Sequence, residues 1–281
     1  DPLMIGWLSL FKAKVLYETG DYSKCEAESI KALSLLSKVN RKDLIYDCYS
    51  LIALSLKGLN NYDKSLKYFN LTLKQIDLLE NDGYSKKNLI TCKAYTLNNM
   101  GWVYESLENY PEAIRHYNLG LQIKDLKQID PEPYAMLLDN LAHAKMQVHD
   151  YKTAYNALLQ SLQISKRHDF KPIQASNTIN LGEYYLLKKD TAKAFSYIKD
   201  GLALSQKIKY NELTLKTLKF LSEHDFENKT HYTKLYIKFS DSLQNAERAT
   251  RDKFARIEYE TQLIEKENQS LSKQNQLTIV C

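Results

Sequence analysis

Three asparagines recur at nearly equal spacing in the middle of the chain: Asn99, Asn140 and Asn180. An asparagine amide both donates and accepts hydrogen bonds, so it can bond to a peptide backbone whatever side chains that peptide carries. The steps between these residues are 41 and 40 positions. Successive structural units of that length could therefore align them along a bound, extended peptide. The same spacing also fits asparagines that belong to a repeated unit and bond only locally.

Residues that could catalyse a reaction or bind a metal are scattered. The 4 cysteines form no pair with zinc-site spacing, and the 6 histidines have no cysteine or carboxylate partner at metal-ligand spacing. The glycine-rich phosphate loop, HExxH, G-x-S-x-G and kinase motifs are absent. We therefore expect no enzyme activity, no cofactor and no metal in this chain. Cys25, Cys48 and Cys92 are expected to be small buried side chains, with a Cys25–Cys48 disulfide as the alternative in an oxidising compartment.

Five short motifs divide the chain into units. They are GDY, NNY, ENY, HDY and KDT, and we use their last residues as anchors: Tyr22, Tyr62, Tyr110, Tyr151 and Thr191. A small residue lies nine positions before each anchor and another three positions after it, and a leucine follows each anchor by eleven positions. Small residues let two antiparallel helices approach closely, so each unit is predicted to be a pair of helices. One pair cannot bury its apolar face alone, so the pairs are predicted to stack into a solenoid.

The composition favours an all-helical chain. Only 8 glycines and 5 prolines occur in 281 residues, whereas sheets and long loops use these residues at their turns. No apolar stretch approaches the roughly 20 residues that span a bilayer. The net charge of +5 comes from interleaved basic and acidic residues, so we expect this segment to contact no nucleic acid.

The repeat pattern resembles the tetratricopeptide repeat family. The third unit is the clearest copy, with the segment ENYPEA at its hinge and these residues around it: Leu97, Met100, Gly101, Tyr104, Tyr117, Gly120 and Leu121. The resemblance implies a right-handed all-α solenoid of five repeats plus a degenerate sixth, which we assign to residues 1–244. The period here is about 40 rather than the family's 34 and the usual closing proline is missing, so longer helices are predicted.

In the resembled family, the first helix of each unit lines a concave face on which peptides bind. Asparagines eleven positions before the anchor contact the peptide backbone in several members. The resemblance therefore implies a groove for a peptide or protein partner. Its predicted residues are Asn99, Asn140, Asn180, Tyr95, Asn98, Trp102, Asp139, His143, Ile179 and Glu183.

A heptad pattern replaces the repeats from about residue 245. Asparagine at the first core position of a heptad fixes a parallel dimeric register at a cost in stability. Residues 245–277 are therefore predicted to form a coiled-coil stalk that joins a homodimer. The predicted dimerisation residues are Phe254, Ile257, Thr261, Ile264, Asn268, Leu271 and Asn275. Acidic residues beside this core weaken a homodimer, and the alternative is a single helix that packs back on the last repeat.

Residues 248–277 resemble the linker of membrane-bound regulators that are common in Bacteroidetes. In those proteins an extracytoplasmic tetratricopeptide domain leads through a short coil into one transmembrane helix. Beyond the membrane lies a LuxR-type helix-turn-helix or a histidine-kinase module. The resemblance implies that residues 278–281 begin a membrane-spanning helix and that the repeats stand at the periplasmic face of the inner membrane.

Together these patterns predict a non-catalytic sensing or protein-interaction domain of a membrane-bound signal-transduction or transcriptional regulator. A peptide or protein would bind in the groove, and the coil would pass the signal to an output domain outside this chain. The alternative is a soluble cytoplasmic scaffold that binds peptides in the same groove and uses the coil only to dimerise.

Overall fold

The computed structural model describes residues 1–246 and, beyond them, residues 248, 249, 252, 253 and 256. In this part of the chain the backbone forms thirteen helices and no strands. Successive helices pack side by side along the chain as antiparallel pairs. The predicted all-α helical solenoid is confirmed.

Ten long helices form the first five pairs, and one short helix is inserted among them. In chain order they are α1 (Pro2–Glu18), α2 (Tyr22–Lys38), α3 (Lys42–Gly58), α4 (Tyr62–Asn81), α5 (Lys86–Ser106), α6 (Tyr110–Leu121), α7 (Leu126–Ile129), α8 (Pro131–Gln147), α9 (Tyr151–Arg167), α10 (Lys171–Leu187) and α11 (Thr191–Lys207). The sixth pair is α12 (Asn211–His224) and α13, which occupies 229–246. Seven of these helices have 17 residues, so the longer helices expected from the 40-residue period are present.

The three-residue motifs between the helices of each pair are turns that end one helix and begin the next. Their first residues have left-handed backbone conformations: Gly20, Asn60, Glu108, His149 and Lys189. Their second residues are the N-caps of the following helix. The Asp21 carboxylate, for example, accepts a hydrogen bond from the backbone N–H of Lys24 at 3.2 Å. Such caps satisfy backbone donors that have no partner within the helix, which explains why Asp or Asn recurs at this position.

The small residues on either side of each anchor lie where the two helices of a pair touch. Ala13, Ala53 and Ala142 are fully buried. A Cβ atom on Gly101 would lie only 2.3 Å from Cε1 of Tyr117, so α5 and α6 approach each other through the missing side chain. The close helix contacts predicted from the small residues are therefore present.

Two irregularities explain the unequal repeat spacing. The 48-residue step between the second and third anchors arises because α4 and α5 have 20 and 21 residues instead of 17. In the third pair, α6 has only 12 residues and the chain turns at Asp125, which has a φ of 64°. Its short continuation, α7, buries Leu126 against the core formed with α5 and α8. The leucines that follow each anchor by eleven positions predicted no such break.

The chain divides into two compact units, residues 1–217 and 218–281. The first contains α1–α11 and the beginning of α12. In the second, Leu218 and Leu221 of α12 and Tyr232 of α13 are buried side chains, on the two helices predicted for the sixth copy. The predicted boundaries at residues 244 and 277 stay predictions.

The predicted stalk and its continuation are largely beyond what the structure describes. Its core positions, from Phe254 to Asn275, and residues 278–281 lie outside the described residues. Among the helices that are described, none is long and apolar enough to cross a membrane.

Candidate functional site

The predicted groove residues lie on the first helices of the third, fourth and fifth pairs. We call their shared surface, together with the end of α3 that adjoins it, the inner face. Its polar and aromatic members are Asn98, Asn99 and Trp102 on α5, Asp139, Asn140 and His143 on α8, and Asn180 and Glu183 on α10. Hydrogen bonds connect these helices side by side, so the structure does bring most of the predicted residues together.

The three asparagines of the predicted ladder bond to neighbouring helix pairs. Asn140 donates from Nδ2 to Oδ1 of Asn98 at 2.8 Å, and Asn180 donates from Nδ2 to Oδ1 of Asp139 at 2.9 Å. Asn99 accepts a hydrogen bond from Nζ of Lys57 at 3.2 Å. These bonds make the asparagines connectors between repeats. Their contact with a bound peptide stays a prediction.

Asp139 is the centre of a buried hydrogen-bond network between α8 and α10. Its carboxylate is only 3% exposed and accepts hydrogen bonds from the Ser176 hydroxyl and from the amides of Asn177 and Asn180. Burial raises the pKa of this carboxyl above its ordinary value, against the three hydrogen bonds, which favour the charged form. The network joins two successive repeats through a side chain that ligand cannot reach without opening them.

His143 lies between carboxylates from two other repeats. Its Nδ1 is 2.7 Å from Oε2 of Glu105 on α5, and its Nε2 is 4.0 Å from Oε2 of Glu183 on α10. Burial disfavours the imidazolium, but the hydrogen bond and charge of Glu105, with the charge of Glu183, outweigh it and raise the pKa of His143. Lys216 opposes this rise. Protonated His143 therefore bridges three repeats electrostatically.

Trp102 presents the largest exposed aromatic surface on the inner face. Its side chain is 37% exposed, and Nζ of Lys57 lies 4.4 Å from the ring centroid. This distance is within the range of a cation–π contact. The end of α3 thus contributes a positive charge to a face whose other charged groups are mainly carboxylates.

Two predicted groove residues are placed differently from the rest. Ile179 is 5% exposed, and its Cγ1 would lie 2.5 Å from a Cβ on Gly201, so it packs into the contact between α10 and α11. Tyr95 is half-buried, and burial together with the charges of Glu132 and Asp130 raises its pKa to about 12. The structure does not connect either of these side chains to the hydrogen bonds of the inner face.

Sequence reasoning missed Lys57 and Glu105, although a signal for them exists. Both lie five positions before an anchor, so they occupy one column of the repeat. Two of the partners of Asp139 on α10, Ser176 and Asn177, were also missed. Their types carry no such signal, because serine and asparagine are common on helix surfaces throughout this chain.

Sequence models of one repeat family match the part of the chain that carries the inner face. Models described as tetratricopeptide repeat match residues 94–125 and 134–207. These two stretches are tetratricopeptide repeats. They include α5 from Ala94 onward, α6, and α8 from Tyr134 through α11, so the asparagine, histidine and carboxylate contacts lie within tetratricopeptide repeats. A comparison with curated protein sequences gives no match.

Several solved structures share the tetratricopeptide-type solenoid at low sequence identity. The apo form of RapI has a TM-score of 0.71 and 17% identity, over 87% of this chain and 86% of that one. A Rap protein complexed with Competence and Sporulation Factor has a TM-score of 0.67 and 16% identity, over 87% of this chain and 66% of that one. The apo quorum sensor NprR from B. thuringiensis has a TM-score of 0.61 and 20% identity, over 77% of this chain and 60% of that one. The matched region thus spans under two thirds of NprR, and these likenesses show the fold.

Proposed function

We propose that this chain is a non-catalytic sensing domain that binds a peptide or protein on its inner face. Binding would be passed to a signal-transduction or transcriptional output through the coil predicted for residues 245–277. The observation that carries the proposal is the set of side-chain bonds that link α3, α5, α8 and α10 across the inner face. Each of these bonds joins neighbouring helix pairs.

Such bonds give a ligand a way to change the shape of the solenoid. Each repeat contacts mainly its neighbours, so the angle between two pairs depends on the contacts between them. A ligand that bonds to Asn99 or Asn140, or to the Glu105–His143 pair, competes with a contact between repeats. It therefore favours whichever arrangement of the repeats it binds more tightly.

A peptide is the ligand class that the solved neighbours support. The Rap protein is complexed with Competence and Sporulation Factor, and a Rap conjugation gene regulator of plasmid pLS20 is complexed with the Phr* peptide. The second structure has a TM-score of 0.68 at 15% identity and covers 88% of this chain and 65% of that one. We extend peptide binding to this chain on the basis of the shared fold and of its polar inner face.

The same proposal places the domain in a homodimer at the periplasmic face of the inner membrane. The heptads of 245–277 and the resemblance of 248–277 to the linker of membrane-bound regulators support this placement. Fractionation of the cells that express the native gene tests it, and the protein is expected in the inner-membrane fraction. Recovery in the soluble cytoplasmic fraction would favour the scaffold alternative.

Peptide binding can be tested without knowing the native ligand. Pools of N-acetylated random hexapeptides, immobilised on beads, are presented to the purified chain, and a retained pool is then added in solution for hydrogen-exchange measurements. We expect protection of α5, α8 and α10 and no change in α1 and α2. Failure of every pool to be retained, or protection only outside the inner face, would contradict the proposal.

Variants at the inner face show whether the retained peptides use it. Asn99→Ala is the suitable change, because the bond between repeats that it removes, from Lys57 at 3.2 Å, is longer than the bonds of Asn140 and Asn180 at 2.8 and 2.9 Å. We expect it to weaken binding about tenfold through loss of one or two hydrogen bonds. Asn156→Ala, at an exposed position of α9, is the matched control and should leave binding unchanged.

A further inference from the structure

One side of α1 exposes a row of large apolar side chains, which we call the α1 stripe. It consists of Met4, Ile5, Trp7, Leu8 and Phe11, each between 48% and 58% exposed. Steps of three, four and seven positions put these residues on one face of the helix. The opposite side, with Leu10 and Ala13, is buried in a core shared with α2 and α3. Helix α1 is therefore apolar on two sides, which is typical of a helix that is covered on both.

The centre of the stripe occupies a position that is buried in the other helix pairs. Leu8 lies fourteen positions before its anchor, and the next four pairs have almost fully buried residues at this position: Cys48, Thr96, Leu137 and Asn177. Helices of the preceding pair cover them. A Cβ on Gly120 of α6 would lie 2.7 Å from Cδ1 of Leu137, and the Ser165 hydroxyl of α9 donates to Oδ1 of Asn177 at 3.4 Å. The α1 stripe is thus built as a contact surface.

Lys12 indicates what kind of partner this surface fits. Ten positions before the anchor, the other pairs have buried apolar side chains: Ile52, Met100, Leu141 and Leu181. Lys12 instead forms an ion pair with Glu28 of α2 at 3.0 Å, and half of its side chain is exposed. A further helix pair stacked like the others would bury this ion pair, and desolvation of its charges opposes that arrangement. The stripe therefore fits a partner that covers Leu8 and leaves Lys12 at the margin, in water.

A second copy of this chain meets that condition. Two α1 helices that cross touch along one stripe each, so Lys12 of both copies stays at the rim. The five residues of the stripe are uncharged, so a two-fold axis through it brings no like charges together. Five large side chains that are about half exposed offer about 500 Å² per copy, and a dimer would bury about 1,000 Å², which is the lower limit for a specific interface.

We propose that the α1 stripe is an interface between two copies of the chain. The two α1 helices cross about a two-fold axis near Leu8, and the stacked rings of Trp7 and Phe11 pack against the apolar side chains of the other copy. This contact is separate from the coil predicted for residues 245–277. It goes beyond the proposed function, because it needs neither that coil nor a ligand on the inner face.

Sedimentation velocity of the full chain carrying Ile264→Glu tests this interface. That change is directed against the predicted coil, so the association that remains reports on other contacts. At about 100 µM, a concentration suited to an interface of this size, we expect a dimer. Adding Leu8→Lys should lower the association constant at least about tenfold, because two positive charges then meet near the axis.

The variant should retain the fold, because Leu8 is exposed and lysine is a good helix former. Leu159→Lys is the matched control, because it replaces a similarly exposed leucine on α9. It should leave the association unchanged.

An exchange of charges shows whether the contact is two-fold. Chains with Leu8→Glu alone should also stay monomeric, because two negative charges then meet near the axis. An equimolar mixture of the Leu8→Lys and Leu8→Glu chains, each with Ile264→Glu, should recover the dimer. Trp7 gives a second readout that the coil does not affect. With Trp102→Phe it is the single tryptophan, and its emission should shift to shorter wavelengths as rising protein concentration buries the ring.

A chain with Ile264→Glu that stays monomeric at about 100 µM would overturn the interface. The stripe would then belong to another occupant, such as a further helix pair or a helix of a different protein. A dimer that persists with Leu8→Lys, or a charge-exchanged mixture that does not associate, would also overturn it. None of these results bears on peptide binding at the inner face, so the interface and the proposed function can fail separately.

Discussion

Replacing Asp139 with alanine should reveal how strongly the buried network holds the fourth and fifth repeats together. The carboxylate accepts three hydrogen bonds from α10, and two of the donors, the amides of Asn177 and Asn180, are themselves buried. Asp139→Ala leaves those two amides without their acceptor. The third donor, Ser176, is half-buried and can bond to water instead.

The magnitude follows from the number of donors left unpaired. Each buried polar group without a partner costs about 1–3 kcal/mol, so two of them cost about 2–6 kcal/mol. Removing a desolvated carboxylate offsets part of this cost, and alanine favours the helix over aspartate by about 0.7 kcal/mol. We expect the free energy of unfolding to fall by about 3 kcal/mol. This fall corresponds to about a hundredfold change in the unfolding equilibrium constant.

Denaturant unfolding gives the total loss, and hydrogen exchange shows where it occurs. Because each repeat contacts mainly its neighbours, faster exchange should be concentrated in α8 and α10, and α1 and α2 should be nearly unchanged. Asp200→Ala is the matched control, because Asp200 is exposed on α11. It should change the unfolding free energy by less than about 0.5 kcal/mol.

A loss below about 1 kcal/mol for Asp139→Ala would refute the reasoning, because the donors on α10 would then have found other partners. An equal rise in exchange along all helices would also refute it. In that case the network would not be local to one contact between repeats.

Three further changes test other parts of the structure. Gly182→Ala would place a Cβ 2.8 Å from the backbone oxygen of Ala194, which cannot rotate away. We therefore expect denaturant unfolding to show that the free energy of unfolding falls by about 1–2 kcal/mol. An unchanged free energy of unfolding would contradict the close approach of α10 and α11. His143→Gln should destabilise the chain most at about pH 6. The raised pKa of His143 gives a stabilisation of the folded chain that is complete below about pH 6.5 and is lost as the pH rises through the pKa of His143 in the folded state. A stability difference between the variant and the original chain that does not change with pH would refute this role. Ile264→Glu should weaken the predicted homodimer at least about a hundredfold in sedimentation experiments, and a dimer of unchanged strength would exclude the coil as its interface.

The sequence by itself determined the helix pairs and their order. The turn motifs bring together a left-handed residue and an N-cap, as at Gly20 and Asp21, and both are local requirements of the backbone. The small residues nine positions before each anchor indicate close helix contact wherever they recur. Local rules of this kind act over a few residues, so they can be read from the order of the amino acids.

The break between α6 and α7 shows where those local rules become insufficient. Leu121 continues the leucine column of the other repeats, yet α6 ends there and Leu126 of α7 is buried in the core with α5 and α8. Whether the chain continues as one helix or turns depends on which arrangement buries more apolar surface against neighbouring helices. Only the packed structure supplies that information.

The asparagine column was evident in the sequence, but its bonding partners were decided by the tertiary structure. Asn140 bonds to Asn98 and Asn180 bonds to Asp139, each from a residue about one repeat away. The register that brings these pairs within hydrogen-bonding distance depends on the rotation between successive repeats, which results from all the side chains packed between them. The column therefore identified the face, and the packing of the repeats determined which of its amides bond to the protein and which remain available to a ligand.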